Sequence, residues 1–235
     1  MTGMRLDHLS YACGPEGCRA TVERLSTLLG AEFVDGGVHP RFGTVNHILP
    51  LENDRYIEVV DVLDHPASDK APFGQAVRAR KELGGGWLGW VVAVRDMERM
   101  EQRLGRQAVP GNRHRPDGVN LTWRQIGVKG LIADPQLPFF IHWDDLDEHP
   151  SVGGKGIKLT ALEIAGDPVR VTDWIGHPAD HLLNDLDVAW VGPNGQPGLN
   201  AAVFDTPNGI QFHWDPPTLY FRIDGSEPWF PISTT

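Results

Sequence analysis

The chain has 235 residues, 40% of them hydrophobic and 22% charged, with a formal net charge of −10. That size and balance suit one or two compact domains and exclude disorder and fibre. No apolar run reaches the roughly 20 residues a spanning helix needs, and so acidic a chain is a poor partner for nucleic acid. The first ten residues lack the basic and apolar regions of a signal peptide, so the expected location is cytoplasmic, away from membranes. Cys13 and Cys18 alone cannot build a disulfide framework or a four-ligand zinc site, and are read as reduced thiols near a helix start.

In chain order, Leu6–Ala12 alternates as a strand. Pro15 stands just inside a helix start, Val22, Leu25, Leu28 and Leu29 form an apolar stripe, and Gly30 stops the helix. Strands are predicted at Glu32–Val38, Thr44–Leu51 and Tyr56–Val62. A linking helix is predicted at Phe73–Leu83. The order then repeats: a strand at Trp87–Val94, a helix capped by Asp96 and ended by Gly105, and strands near Gln107–Val109, Val119–Ile126 and Pro138–Trp143. A third round starts with a strand at Leu159–Ala165 and a helix opened by Asp167-Pro168 and ended by Gly176. It closes with strands near Val188–Val191, Leu199–Phe204 and Ile210–Trp214.

Three units in phase imply an α+β protein of repeated βαβββ units forming a cupped mixed sheet with helices outside. One sheet face takes the unit's helix and the other must meet a second unit. The expected division is 5–65, 66–150 and 155–215, with a Pro-rich tail over 216–235. Whether the third unit completes the cup or packs outside it is open at this stage. Charge is uneven: Val77 to Gly130 holds 11 Lys and Arg against 5 Asp and Glu. This is either a solvated basic face or a site for an anionic substrate.

The repeated unit, opening with Leu6-Asp7-His8-Leu9 and closing its fourth strand with Tyr56-Ile57-Glu58, resembles the vicinal oxygen chelate superfamily. That superfamily holds glyoxalase I, extradiol dioxygenases and bleomycin-resistance proteins. Within it the chain is most similar to glyoxalase-like domain proteins. The similarity is carried by Gly36-Gly37-Val38-His39, Gly43-Thr44-Val45-Asn46, Arg115-Pro116-Asp117-Gly118 and Pro138-Phe139-Phe140-Ile141-His142-Trp143. The resemblance implies that His8 and Glu58, on neighbouring strands, bind a divalent metal. Period two places Leu6, His8 and Ser10 on one face, and Tyr56, Glu58 and Val60 on one face, leaving Glu58 a carboxylate among apolar residues. His142, at the place in the second unit that Glu58 holds in the first, would complete a two-His, one-carboxylate set for Fe, Mn, Zn or Ni. The alternative for each is structural: Glu58 hydrogen-bonded to His8 or an Arg, and His142 a half-exposed strand residue.

His39 is a candidate general base, with a turn-stabilising role as the alternative. Arg41 and Asn46 lie on or beside the same hairpin and are candidate substrate contacts. Arg115, in a loop with Arg113 and His114, could grip a carboxylate or phosphate, and Trp123 could wall the pocket. The implied function is a metal-binding enzyme acting on a small oxygenated substrate, of lyase, isomerase or ring-cleaving dioxygenase type, with Glu58 or His39 moving the proton. The alternative is a metal-free protein that sequesters a small molecule, as bleomycin-resistance proteins do. A homodimer is compatible with either.

Overall fold

The computed structural model describes residues 3–193, 197–207 and 209–214. The predicted tail and the side chains of Gln211 and His213 lie outside them. The first unit runs β1 (Met4–Ala12), α1 (Cys18–Leu29), β2 (Val34–His39), β3 (Thr44–Leu51) and β4 (Arg55–Val62). Two helices follow, α2 (Pro66–Lys70) and α3 (Pro72–Glu82). The second unit is β5 (Gly86–Val94), α4 (Met97–Leu104), β6 (Val109–His114), β7 (Asn120–Ile126), α5 (Gly130–Ala133) and β8 (Phe139–Trp143). The remainder is β9 (Lys158–Ala165), α6 (Pro168–Ile175), α7 (Ala179–Leu182), β10 (Asp187–Val191), β11 (Gly198–Thr206) and β12 (Gly209–Trp214).

The predicted helix ends form for the stated reasons. Gly30, Gly105 and Gly176 each adopt the left-handed conformation that stops a helix, at φ 66°, 62° and 73°. The carboxylates of Asp96 and Asp167 accept from Arg99 N–H and Val169 N–H and so cap α4 and α6. The first helix starts later than predicted. Pro15 belongs to a turn, and α1 opens at Cys18.

Eight strands close into a barrel in the order β1-β4-β3-β2-β6-β7-β8-β5. In each of the first two units the first strand lies parallel to the fourth. The units join through a long antiparallel seam between β1 and β5 and a short one at Val38 and His114. Thus the first and second units make the cup, and it is closed. β9 to β12 form a separate sheet in the order β10-β9-β11-β12. Here the first strand lies between the second and the third, so β12 is not its neighbour and the pairing of the first two units is not repeated. This sheet packs on the outside of the barrel, where Leu162, Ile164 and Phe204 share a core with Trp90, Leu6 and Leu9.

The short seam explains Gly37. Its φ is 104°, and a Cβ there would lie 1.9 Å from the carbonyl oxygen of His114. Only glycine lets β2 approach β6 this closely. Gly37→Ala is expected to destabilise the fold by roughly 3 kcal/mol, from backbone strain plus displacement of β6. Chemical denaturation with tryptophan fluorescence measures it.

Candidate functional site

The barrel interior holds a narrow chamber with a cavity volume of about 20 Å³. Its polar residues are brought together by strand register. Ser10 pairs with Glu58, and His8 with Tyr56, across the parallel β1–β4 ladder. His39 pairs with Thr44 across the β2–β3 hairpin. Tyr56, Phe42, Phe73, Trp123, Phe139 and Trp143 supply the aromatic walls.

Glu58 is the centre. It is 5% exposed. Asn46 Nδ2 donates to its Oε1 at 2.7 Å and the Ser10 hydroxyl to its Oε2 at 3.0 Å. Two imidazoles flank it, His39 Nε2 at 3.8 Å from Oε1 and His8 Nε2 at 3.9 Å from Oε2. Burial alone would raise the Glu58 pKa. The neighbouring imidazoles and the two hydrogen bonds outweigh burial and hold it below the ordinary carboxylate value, so the group is ionised at neutral pH.

His8 is held from behind. Its Nδ1 lies 2.9 Å from Asp7 Oδ2, which leaves Nε2 facing the chamber. Asp7 is fully buried. Trp143 Nε1 donates to it at 3.1 Å, His149 Nε2 lies 3.1 Å away and the Arg5 guanidinium 3.0 Å away. Burial works against its charge, but its bonds to His149 and His8 prevail and keep it ionised far below the usual range. Adjacent strand residues should face opposite ways. They do not here because a bulge between Leu6 and His8 interrupts the β1–β5 ladder. The expectation that Leu6, His8 and Ser10 share a face is therefore corrected. The extra residue turns Leu6 to the helix-side core with Leu9 and Tyr11, and brings Asp7 into contact with His8.

His39 lies between Thr44 Oγ1, 2.8 Å from Nδ1, and Asn46 Nδ2, 3.3 Å from Nε2. An amide N–H directed at Nε2 makes that atom the acceptor, so Nδ1 carries the proton. Burial lowers the His39 pKa to about 4. The unfolded residue titrates near 6.5, so folding loses stability as pH falls from 6.5 through 4, by about 3 kcal/mol. His39→Gln is expected to flatten that part of the stability curve, measured by denaturation at stepped pH.

Arg113 is the residue that sequence reasoning placed in the wrong setting. The predicted loop at 112–118 begins as strand β6, and the strand predicted at Gln107–Val109 is displaced to Val109–His114. Period two then puts Gly111 and Arg113 on the inner face. Gly111 leaves room for the Trp123 indole, which a Cβ would meet at 2.3 Å. The Arg113 guanidinium lines the chamber at 4% exposure, and its Nε has no hydrogen-bond partner among the described residues. Burial lowers its pKa, against the pull of Tyr56 and Glu58, without approaching neutrality. Arg115, the predicted anion contact, instead pairs with Asp117 and, at 2.6 Å, with Glu148 on the surface. Arg41 is exposed on the hairpin turn and is not among the chamber-lining residues.

Trp123 lines the chamber as an aromatic wall, 5.7 Å from the His39 ring. His142 does not join His8 and Glu58. On β8 the chamber receives Phe139, Ile141 and Trp143, so His142 lies on the opposite face with Nδ1 at 2.9 Å from the Val94 carbonyl oxygen. Phe42, Phe73 and Gln125 also line a second groove, whose lining includes Arg106 and Lys129.

The family model for the glyoxalase-like domain matches residues 6–178, which include every polar residue of this chamber. The chain belongs to the glyoxalase-like domain family. A hypothetical protein from Staphylococcus aureus is similar in fold, at 15% identity and a TM-score of 0.56, over 93% of this chain and 85% of that one. Two structures overlap less. Methylmalonyl-CoA epimerase from Mycobacterium tuberculosis has 14% identity, a TM-score of 0.39, and covers 59% of this chain and 86% of its own. A hypothetical protein from Bacillus halodurans has 16% identity, a TM-score of 0.40, and covers 60% and 93%. No curated protein matches the chain.

A metal site requires several donors around one point at about 2.0–2.3 Å. Among the described residues no group of three His, Cys, Asp or Glu side chains is placed to provide this. Both Glu58 oxygens already accept hydrogen bonds, and the third expected donor, His142, faces out of the barrel. The expected set of His8, Glu58 and His142 is not assembled. Among the described residues no helix is long and apolar enough to cross a membrane.

Proposed function

We propose that this family member is an enzyme of lyase or isomerase type that moves a proton on a small, oxygenated, anionic substrate held in the barrel. One observation carries the reading: an ionised, buried Glu58 faces a buried Arg113 in an aromatic-walled chamber. The buried Nε–H of Arg113 has no partner among the described residues, a cost that a bound anion would relieve. Glu58 is a carboxylate with two imidazoles in reach, a composition suited to taking up a proton and passing it on.

In this mechanism the substrate's carboxylate, or the oxygen next to its reacting carbon, binds Arg113. Glu58 takes the proton from the carbon beside the carbonyl. Negative charge develops on the carbonyl oxygen, toward Arg113, in a site from which the aromatic rings exclude water. Asn46 holds Glu58 and His39 in fixed relation by donating one amide hydrogen toward each. His8, oriented by Asp7, is positioned to return a proton at a second atom, while neutral His39, whose Nε2 accepts from Asn46, fixes that amide beside Glu58. Returned to a different carbon or face, the proton gives an isomer; with loss of a leaving group, the product is that of a lyase. No step runs through a metal.

The test is solvent-deuterium exchange at carbon, followed by NMR, over a panel of small 2-oxo and 2-hydroxy acids. Exchange is expected for at least one of them. Arg113→Met is expected to weaken its binding by roughly 10- to 100-fold, the loss of a charge-assisted contact. Thermal-shift binding without exchange would move the assignment to sequestration. Elemental analysis runs in parallel on the same preparation and on Glu58→Ala. Near-stoichiometric metal that vanishes in the variant would overturn the metal-free mechanism.

A further inference from the structure

Outside the barrel, the mechanism leaves one cluster of reactive groups unused. Cys13 follows the end of β1 and is buried; Cys18 is the first residue of α1 and half-buried. The turn between them is closed by the Gly17 N–H donating to the Gly14 carbonyl at 3.0 Å, and it sets each thiol close enough to bear on the other's ionisation. Both are free thiols. His47, on the outer face of β3 beside the inward Asn46, places Nδ1 3.3 Å from Cys18 Sγ. Two thiols at the ends of one short turn, an imidazole 3.3 Å from one of them, and the opening turn of a 12-residue helix form a setting for thiol chemistry.

The charges around the pair are mixed. Asp61, paired with Lys81 at 2.6 Å, faces both cysteines, and its charge opposes thiolate formation; Lys81 partly offsets it at Cys13. Asp35 faces His47 and favours its protonation. At Cys18 the neighbouring Cys13 thiol is the largest influence. It and His47 overcome burial and bring the pKa to about 6. At Cys13 the neighbouring Cys18 and burial both favour the neutral thiol.

We propose that Cys13 and Cys18 form a redox-active dithiol that a peroxide converts to a disulfide, with Cys18 attacking and Cys13 resolving. The Cys18 thiolate attacks one peroxide oxygen and the O–O bond breaks. Sulfur is oxidised to the sulfenic acid, and the departing hydroxide takes the proton of the His47 imidazolium and leaves as water. Cys13 sulfur then attacks Cys18 sulfur, the S–O bond breaks, and the hydroxyl leaves with the Cys13 proton as a second water. The dithiol loses two electrons and the peroxide gains them.

The experiment uses the full reduced chain. Iodoacetamide alkylation of Cys18, followed by peptide mass spectrometry across pH, is expected to show a midpoint below neutrality. One equivalent of hydrogen peroxide is expected to produce an intramolecular disulfide, lighter by two hydrogens and reversed by dithiothreitol. In Cys13→Ser, Cys18 sulfenic acid should accumulate and be trapped by dimedone. His47→Gln should raise the alkylation midpoint by about one pH unit, roughly a ten-fold loss of rate below it. If Cys13→Ser does not fold, the wild-type midpoint and His47→Gln still decide. An ordinary thiol midpoint, or peroxide giving only higher oxides or disulfide-linked dimers, would overturn the proposal.

Discussion

Glu58→Gln is expected to reduce carbon–deuterium exchange by about 10²- to 10⁴-fold, the usual contribution of a positioned acid–base group. The substitution preserves shape. The glutamine oxygen can still accept from Asn46 Nδ2, and its NH2, in place of Oε2, can donate to a Ser10 hydroxyl turned to accept. Denaturation midpoints should therefore move little, which separates loss of the base from loss of the fold. Binding should survive, because Arg113 and the aromatic walls are untouched. The pH profile is a further check. The Glu58 carboxyl is held below its ordinary value, so wild-type exchange should persist through mildly acidic pH and fall only as that carboxyl protonates. Full exchange in Glu58→Gln would transfer the role of base to the His8 pair and end the Glu58 assignment.

The repeat was legible because its signals are local. Glycine at a helix end, aspartate at a helix start and alternation along β3 and β4 are each fixed by a few neighbouring residues. Glu58 was legible for the same reason: in an apolar strand, a carboxylate flanked by residues of opposite facing must be buried and partnered. Three features depended on contacts distant in sequence. The bulge at Asp7 exists because β1 pairs with β5, about eighty residues on, and no signal inside Leu6–Ser10 marks it. Residues 109–114 contain Pro110, Gly111 and Asn112, which read as a loop. They are held as a strand by pairing with β7, which set Arg113 inward and Arg115 outward. Extending the strand by period two to His114 would have found Arg113. The third unit has the right elements in the right order, but its strands pair in another sequence. Element order does not determine strand adjacency, so counting to the fourth strand could not locate a counterpart of Glu58 there.

Asp7→Asn is expected to cost about 3–5 kcal/mol, the penalty for removing one partner from a buried charged cluster. The carboxylate is fully buried and serves four groups: His8, His149, Trp143 and Arg5. An amide offers one acceptor oxygen, so part of this set loses its partner and the Arg5 charge loses its counter-ion. The pH dependence has a definite sign. Asp7 has a folded pKa below its unfolded value, so its contribution is complete above the ordinary carboxylate range and is lost as pH falls beneath it. The wild type should thus weaken in strong acid through this group, while Asp7→Asn, already weaker at neutral pH, should show a flatter acid limb. Urea denaturation at stepped pH reads both differences. The variant also separates support from chemistry. With Asp7 gone, His8 loses the bond that directs Nε2 toward Glu58, so exchange should fall well short of the Glu58→Gln loss while substrate affinity, set by Arg113, is retained. An Asp7→Asn protein as stable as wild type would mean that the buried cluster is held by the surrounding barrel rather than by this charge.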